Sequence, residues 1–305
     1  MIINRIAEKE LLALSKQYRA IAVVGPRQSG KTTLVRRCFP GKAYVNLENS
    51  DTRRFAIEDP RGFLSGFPHG AILDEVQRAP EIFSYLQQVL DENNTKGQFI
   101  LTGSNNFLLQ QNISQTLAGR VGYLFLLPLS LQELDHPFPS TDALIYRGFY
   151  PEIYADKEMD AGKYYSNYIR TYVERDVRMI KNIVDLYTFE RFVRLCAGRT
   201  GQLLNMNSLA IEAGVDNKTV ASWLSVLETS FIVFRLQPYH KGFNKRIVKM
   251  PKLYFYDTGL ASALLGIDNK EQLGLHPFRG ALFENMVVVE FLKNRFNSGK
   301  TNNLF

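Results

Sequence analysis

The sequence predicts an α/β fold in which a parallel sheet lies between two layers of helices. Three observations carry that expectation. Residues 22–39, AVVGPRQSGKTTLVRRCF, read as a strand, a tight loop and a helix. Further on, GAILDEVQRAPEIFSYLQQVLDENN runs from an apolar strand into an acidic pair and then a helix. A third strand, GQFILTGSNN at 97–106, passes from apolar to polar where a strand leaves a sheet. Strands that alternate with helical patterns in this way belong to parallel sheets.

In the first stretch Gly25, Gly30, Lys31 and Thr32 have the G-x-x-x-x-G-K-[ST] spacing of a nucleotide-phosphate loop, or P-loop. Gly25 and Gly30 let the backbone turn tightly and bring its N–H groups around a polyphosphate. Pro26, Arg27, Gln28 and Ser29 complete the loop, and Thr33 follows in the first turn of a helix whose positive dipole end points at the same phosphates. Lys31 supplies a mobile charge for the β- and γ-phosphates, and the Thr32 hydroxyl is placed to ligate Mg2+. The expected ligands are therefore ATP and Mg2+. An ordinary glycine-containing loop is the bland alternative, and the context on both sides argues against it.

Taken in order, residues 5–18, RIAEKELLALSKQY, suit an amphipathic helix with Ile6, Leu11, Leu12 and Leu14 as its apolar positions. AYVNLEN (43–49) is a strand, and DTRRFAIEDP is a helix capped by Asp51 and stopped by Pro60. Ala71, Ile72 and Leu73 form a buried strand that ends in Asp74 and Glu75, and Pro80 opens the next helix. Carboxylates at the end of a buried strand need partners. A magnesium nucleotide provides one: Asp74 holds the metal, directly or through water, while Glu75 polarises the attacking water. The alternative is a strand ending in a solvated acidic turn.

On the third strand Thr102, Ser104 and Asn105 fall where open α/β sheets bind ligands. Ser104 is expected to sense the γ-phosphate or the water, with a simple helix cap as the equal alternative. ISQTLAGRVGYLFLLPLSLQEL then gives a short helix, Gly119-Arg120 and an apolar strand up to Pro128. Arg120 is a candidate for stabilising transition-state charge, in cis or from a neighbouring subunit, against the simpler reading of a solvated or ion-paired arginine.

Together, GPRQSGKTTL, AILDEVQRAP, FILTGSNNF and LAGRVGYLFLLPLSLQEL resemble the AAA-type ATPase domain of a large prokaryotic family whose members join it to a C-terminal domain of unknown function. The resemblance continues in YPEIY (150–154), YIRTYVERDV (168–177), KLYFYDTGLASALLG (252–266) and GALFENMVVVEFLKN (280–294). It implies a three-layer P-loop NTPase fold of AAA/ASCE type that hydrolyses ATP with magnesium. Lys31, Thr32, Asp74 and Glu75 match that pattern position by position.

In the second half, NMNSLAIEAGV (205–215) and DNKTVASWLSVLETSF (216–231) read as two short helices joined at Gly214, with Asp216 capping the second. Val220, Trp223, Leu224 and Leu227 recur at helical spacing and mark its core face. FIVFRLQPY is a strand with KLYFYD as its partner, which makes a winged-helix arrangement, supported by the resemblance. The second helix offers only Lys218 as a cation and carries Glu228, a poor endowment for DNA. HKGFNKRIVKMPK (240–252) is richer, with Lys241, Lys245, Arg246, Lys249 and Lys252 around Phe243, and is the strongest nucleic-acid signal in the chain. A solvated hairpin or a lid packed on the ATPase is the competing reading. YVERDVRMIK (172–181), with alternating charges, suits a solvated or salt-bridged helix.

The last helix, FRGALFENMVVVEFLKNRF, carries Glu284 and Glu290. In relatives, the resemblance implies, it starts a restriction-nuclease-like fold with an acidic residue matching Glu284. The remaining metal-binding residues of such a fold would lie on later strands, beyond the closing NNLF. A partial C-terminal α/β module without a complete nuclease site is therefore expected, the chain being either truncated or completed by a partner.

The 305 residues are 45% hydrophobic with a net charge of +7, a mild bias toward anionic partners whose surplus falls mostly in the second half. Cys38 and Cys196 are far apart and His69, His136, His240 and His276 are scattered, so reduced thiols and no zinc site are expected. Nothing resembles a signal peptide or a membrane span, which points to a cytoplasmic protein. The expected organisation is a P-loop ATPase domain at 1–135, a connector at 136–164, a winged-helix domain at 165–268 and the start of a nuclease-like module at 269–305. The favoured reading is ATP hydrolysis coupled to motion of the winged-helix domain, with nucleic acid and further copies of the chain as partner classes. The alternatives are a nucleotide-dependent switch with little turnover and a DNA-binding regulator.

Overall fold

Parallel strands carry the first half of the chain: β1 (Ala20–Val24), β2 (Ala43–Asn46), β3 (Ala71–Asp74), β4 (Phe99–Thr102) and β5 (Val121–Phe125). They form a five-stranded sheet in the order β2-β3-β4-β1-β5. The computed structural model describes residues 3–103, 106–134, 139–156, 158–173, 185–239 and 249–305. Ser104, Asn105, His136, His240, Lys241, Phe243, Lys245, Arg246 and most of the 172–181 segment thus lie outside the described residues.

The strands obey a period of two, because successive side chains leave opposite faces of a sheet. Ala20, Ala22 and Val24 join one buried cluster with Leu73, Leu101 and Phe99, while Ile21 and Val23 join another with Ile72, Ile100 and Leu124. Leu11 and Leu14 of α1 (Glu8–Ser15) and Leu34 and Val35 of α2 (Lys31–Cys38) cover the second face. The first face is covered from α3 (Ser50–Glu58), α4 (Pro60–Ser65), α5 (Ile82–Glu92) and α6 (Asn106–Thr116). Two cores on two faces of one sheet make the three-layer α/β P-loop NTPase fold.

Several element ends differ from expectation. Asn49 rather than Asp51 caps α3: its side-chain oxygen accepts from Asp51 N at 3.1 Å and Thr52 N at 3.0 Å. Asp51 already lies inside the first turn, where its charge favours the helix dipole. Pro60 stops α3 and also opens α4, with Asp59 as the cap. A proline lacks the N–H that a first helical residue would leave unsatisfied in any case.

The chain divides into two compact units, one of Asn4–Leu127 with Arg295–Thr301 and one built on Pro128–Asn294. The second contains α7 (Thr141–Arg147), α8 (Pro151–Ala155), α9 (Ala161–Tyr168) with a π-helical turn after it (Ile169–Val173), and α10 (Leu186–Ala197). Next come α11 (Met206–Ala213), α12 (Asn217–Thr229), β6 (Val233–Leu236) and β7 (Lys252–Phe255). Finally come α13 (Thr258–Leu264), α14 (Lys270–Leu275) and α15 (Arg279–Asn297), the last as far as Asn294.

Gly214 ends α11 in the left-handed region at φ 75°, where a side chain would be strained. Asp216 caps α12 by accepting from Thr219 N at 2.6 Å. Val220, Trp223, Leu224 and Leu227 are buried, and Trp223 meets Phe189 and Phe192 edge-on, each at 5.2 Å between centroids. β6 and β7 pair antiparallel with Val233 opposite Phe255. Asn285 of α15 completes that ribbon by accepting from Phe255 N at 2.7 Å and donating to Phe255 O at 2.9 Å. Asp257, buried ahead of α13, accepts from Phe149 N at 2.7 Å and Leu260 N at 2.9 Å. Burial pushes its carboxyl above the usual carboxylate range. Among the described residues no helix is long and apolar enough to cross a membrane.

Candidate nucleotide site

The loop after β1 closes on itself. Lys31 is buried, and its Nζ donates to Gly25 O at 2.9 Å and Pro26 O at 2.7 Å. Gly30 stands at φ 90° and Gln28 at φ 58°, left-handed positions that turn the chain into α2. Gly25 is required for a reason the sequence does not disclose: a Cβ there would lie 2.1 Å from Leu126 O. That carbonyl belongs to the segment leaving β5, held to β1 by the Leu126 N to Val24 O bond at 2.8 Å. Ser29 is buried, Arg27 half-exposed, and Gln28 and Thr33 exposed.

Register places the acidic pair beside this loop. Leu73 pairs with Leu101, and Leu101 with Ala22, so Asp74 and Thr102 end their strands at the level of Val23, one residue before the end of β1. Asp74 is 6% exposed and satisfied by three hydroxyls. Thr32 Oγ1 donates to its Oδ2 at 2.9 Å and Tyr44 OH to the same oxygen at 2.7 Å, while Thr102 Oγ1 donates to Oδ1. Burial, and then the bond to Asp74, push the Tyr44 hydroxyl upward, so it stays a donor. Arg36 lies over the Tyr44 ring at 4.6 Å.

Glu75 follows in the left-handed region (φ 56°, ψ 39°) at the head of a short 3₁₀ turn, Val76–Arg78. A non-glycine residue there is strained by about 1–2 kcal/mol, and such strain concentrates at functional sites. Gln77 Nε2 donates to Glu75 Oε2 at 2.6 Å.

Sequence reasoning missed Tyr44, Gln77 and Arg5. Arg5 is 9% exposed, and its guanidinium donates to Ser29 O and Leu127 O, each at 2.6 Å. It thereby ties the phosphate loop to the strand end beside it. Nothing in a lone Arg–Ile–Ala marks such a role, whereas the glutamine of DEVQ stood within the quoted motif.

Arg120 needs correction as a group acting on the phosphates of its own chain. It precedes β5, and its carbonyl accepts from Ala20 N, at the end of the sheet opposite the phosphate loop. β1 alone separates the two ends by roughly 13 Å. Its guanidinium is paired side-on with Asp91, Nε to Oδ1 at 2.6 Å and Nη2 to Oδ2 at 2.8 Å, which holds the Asp91 carboxyl below its usual range. Ser104, Lys241, Lys245 and Arg246 lie outside the described residues, and Lys249 is exposed. In the other unit Glu284 accepts from Lys252 Nζ at 2.8 Å and Tyr254 OH at 2.5 Å, so this carboxylate is already engaged by a cation and a phenol.

Residues 17–135 match the model of the AAA domain family, and residues 139–271 match a domain of unknown function, DUF8612. Uncharacterized proteins of Mycobacterium tuberculosis and Mycobacterium bovis are each 31% identical over 292 residues, 94% of this chain. The chain spans 65% of the length of these two relatives. An uncharacterized protein of Haemophilus influenzae is 24% identical over 217 residues, 65% of this chain and 52% of that one. Among solved structures, a Walker-type ATPase of Pyrococcus abyssi superposes with a TM-score of 0.56 at 14% identity, covering 86% of this chain and 96% of the other. That likeness is one of fold, and it agrees with the P-loop NTPase architecture of the parallel sheet and its two helical layers.

Proposed function

We propose that the chain binds ATP with magnesium and hydrolyses it at the C-terminal edge of the β2-β3-β4-β1-β5 sheet. The observation that carries this reading is the meeting of Thr32 and Asp74 at 2.9 Å, which joins the phosphate-loop helix to the acidic strand end. Backbone N–H groups of residues 27–33 cradle the phosphates at the start of α2. Lys31 moves its ammonium from the Gly25 and Pro26 carbonyls to the β- and γ-oxygens.

The residues present fit a magnesium ion. A threonine hydroxyl and a carboxylate are the oxygen donors this hard cation takes in phosphate sites. The buried Ser29 hydroxyl, without a hydrogen-bond partner among the described residues, suits an incoming phosphate oxygen. Thr32 and Asp74 would hold the ion, which would supply charge neutralisation at the phosphate oxygens. Glu75 orients a water and takes its proton.

The second unit is read as the responding part. α11, α12 and the β6-β7 ribbon have the order of a winged helix, and we assign hydrolysis to its movement. A nucleic-acid client rests on the basic 240–252 segment alone. An Arg120 contribution to hydrolysis comes, in this account, from a neighbouring copy. Titration calorimetry with Mg-ATP tests the core of the reading: Lys31→Ala lowers affinity by at least about tenfold, and unchanged affinity contradicts it.

A further inference from the structure

The side chain of Gln77 is 7% exposed, lies two residues beyond Glu75 and touches it. Its amide nitrogen must be the atom that faces the carboxylate, since an amide oxygen there would meet a carboxylate oxygen with no proton between them. The remaining amide oxygen, Oε1, has no hydrogen-bond partner among the described residues. That oxygen is pressed against the end of β4. A Cβ built on Gly103 would stand 2.1 Å from Gln77 Oε1, so a glycine is needed there for the amide to keep its place.

Gly103 has no left-handed φ, and hence its backbone makes no demand for glycine. The demand comes from Gln77. Thr102, one residue earlier, donates to Asp74. The two carboxylates that end β3 are thus both fixed from the same place: Asp74 by the last hydroxyl of β4, and Glu75 by an amide wedged against the residue after it.

We infer that Gln77 is a positioning residue that sets the orientation of the Glu75 carboxylate, with Gly103 supplying the space that lets it do so. The inference rests on the reading of Glu75 as the group that takes the proton from water. A carboxylate on a strained turn is useful as a base only if its oxygens face one way, and a short amide bond from a packed side chain provides that constraint. Misplacement by about 1 Å reduces turnover by up to about a hundredfold without changing how the phosphates are held.

The test is a cycle of full-length variants, Gln77→Ala, Gly103→Ala and the two together, each measured for kcat, KM and direct ATP affinity. Gln77→Ala is expected to lower kcat about ten- to a hundredfold with ATP affinity unchanged. Gly103→Ala should do the same, because its methyl group displaces the amide. With the amide gone the methyl's remaining close neighbour is Leu109 Cδ2 at 3.2 Å, a side-chain end that need give only slightly, so the double variant should be little worse than Gln77→Ala alone. Near-native or raised kcat in Gln77→Ala overturns the inference, as do losses that multiply in the double variant or a change confined to KM. Thermal melting of each variant identifies unfolding, and the cycle then rests on the variants that melt as the parent does. Glu75→Gln in the same assay separates the two layers: active Glu75→Gln removes the underlying reading, while inactive Glu75→Gln with normal Gln77→Ala removes only this one.

Discussion

Thr32 and Asp74, 42 positions apart in the chain, share a hydrogen bond of 2.9 Å between Oγ1 and Oδ2. The bond fastens the first turn of the phosphate-loop helix to the end of the acidic strand. Tyr44 and Thr102 complete the shell around the same carboxylate. Thr102→Val removes a buried donor from Asp74 while keeping the shape of the side chain. Urea unfolding should show a loss of about 1–3 kcal/mol, the typical cost of leaving a buried polar group short of a partner. Stability unchanged from the parent contradicts that role.

Arg5 predicts an effect on the loop from a residue outside the motif. Arg5→Ala deprives the Ser29 and Leu127 carbonyls of their charged donor. The expected loss is about 1.5–3 kcal/mol of folding stability with weaker ATP binding, read by denaturant unfolding and calorimetry. Arg5→Lys should recover only part of it, since an ammonium cannot reproduce the guanidinium fork.

Arg120 separates action within a chain from action between chains. Because it lies at the far end of the sheet from Lys31, Arg120→Ala should leave ATP affinity intact. Turnover should fall only where copies assemble, and mixing Arg120→Ala with Glu75→Gln subunits should restore part of it. Full turnover by Arg120→Ala in the assembled protein contradicts a contribution from the neighbour.

Glu284 gives a pH signature in the second unit. Its hydrogen bond from Lys252, then that from Tyr254, hold the carboxyl below its ordinary value of 4.5. A depressed folded-state pKa means stabilisation that is present above about 4.5 and lost as pH falls through the folded value. The pair is partly exposed, so the effect is below about 1 kcal/mol. Glu284→Gln should therefore melt below the parent near neutral pH and converge with it in acid, by calorimetric scans at several pH values. A gap that widens in acid contradicts the assignment.

The sheet was legible because its strands are short, apolar and followed by turn chemistry, and because the phosphate motif names its own geometry. Asp216 and Gly214 were legible for the same local reason, a cap and a left-handed helix end. What the sequence hid is everything set by register. Tyr44 reaches Asp74 only because β2 lies beside β3, and Gly25 is demanded by a carbonyl more than a hundred residues later. Arg120 precedes its strand, which already sets it at the N-terminal edge of a parallel sheet; what the sequence hid was its ion-pair partner. Asp91, its partner, ends a helix with no motif of its own.

Phosphate release from Mg-ATP by the parent chain, beside Glu75→Gln, tests most directly hydrolysis where the phosphate-loop helix α2 meets the end of β3. Steady release by the parent is expected, with a loss of at least about a hundredfold in Glu75→Gln and ATP still bound. A parent chain that binds ATP and releases no phosphate, alone or with duplex DNA, would contradict it, as would a Glu75→Gln variant that turns over at the parent's rate.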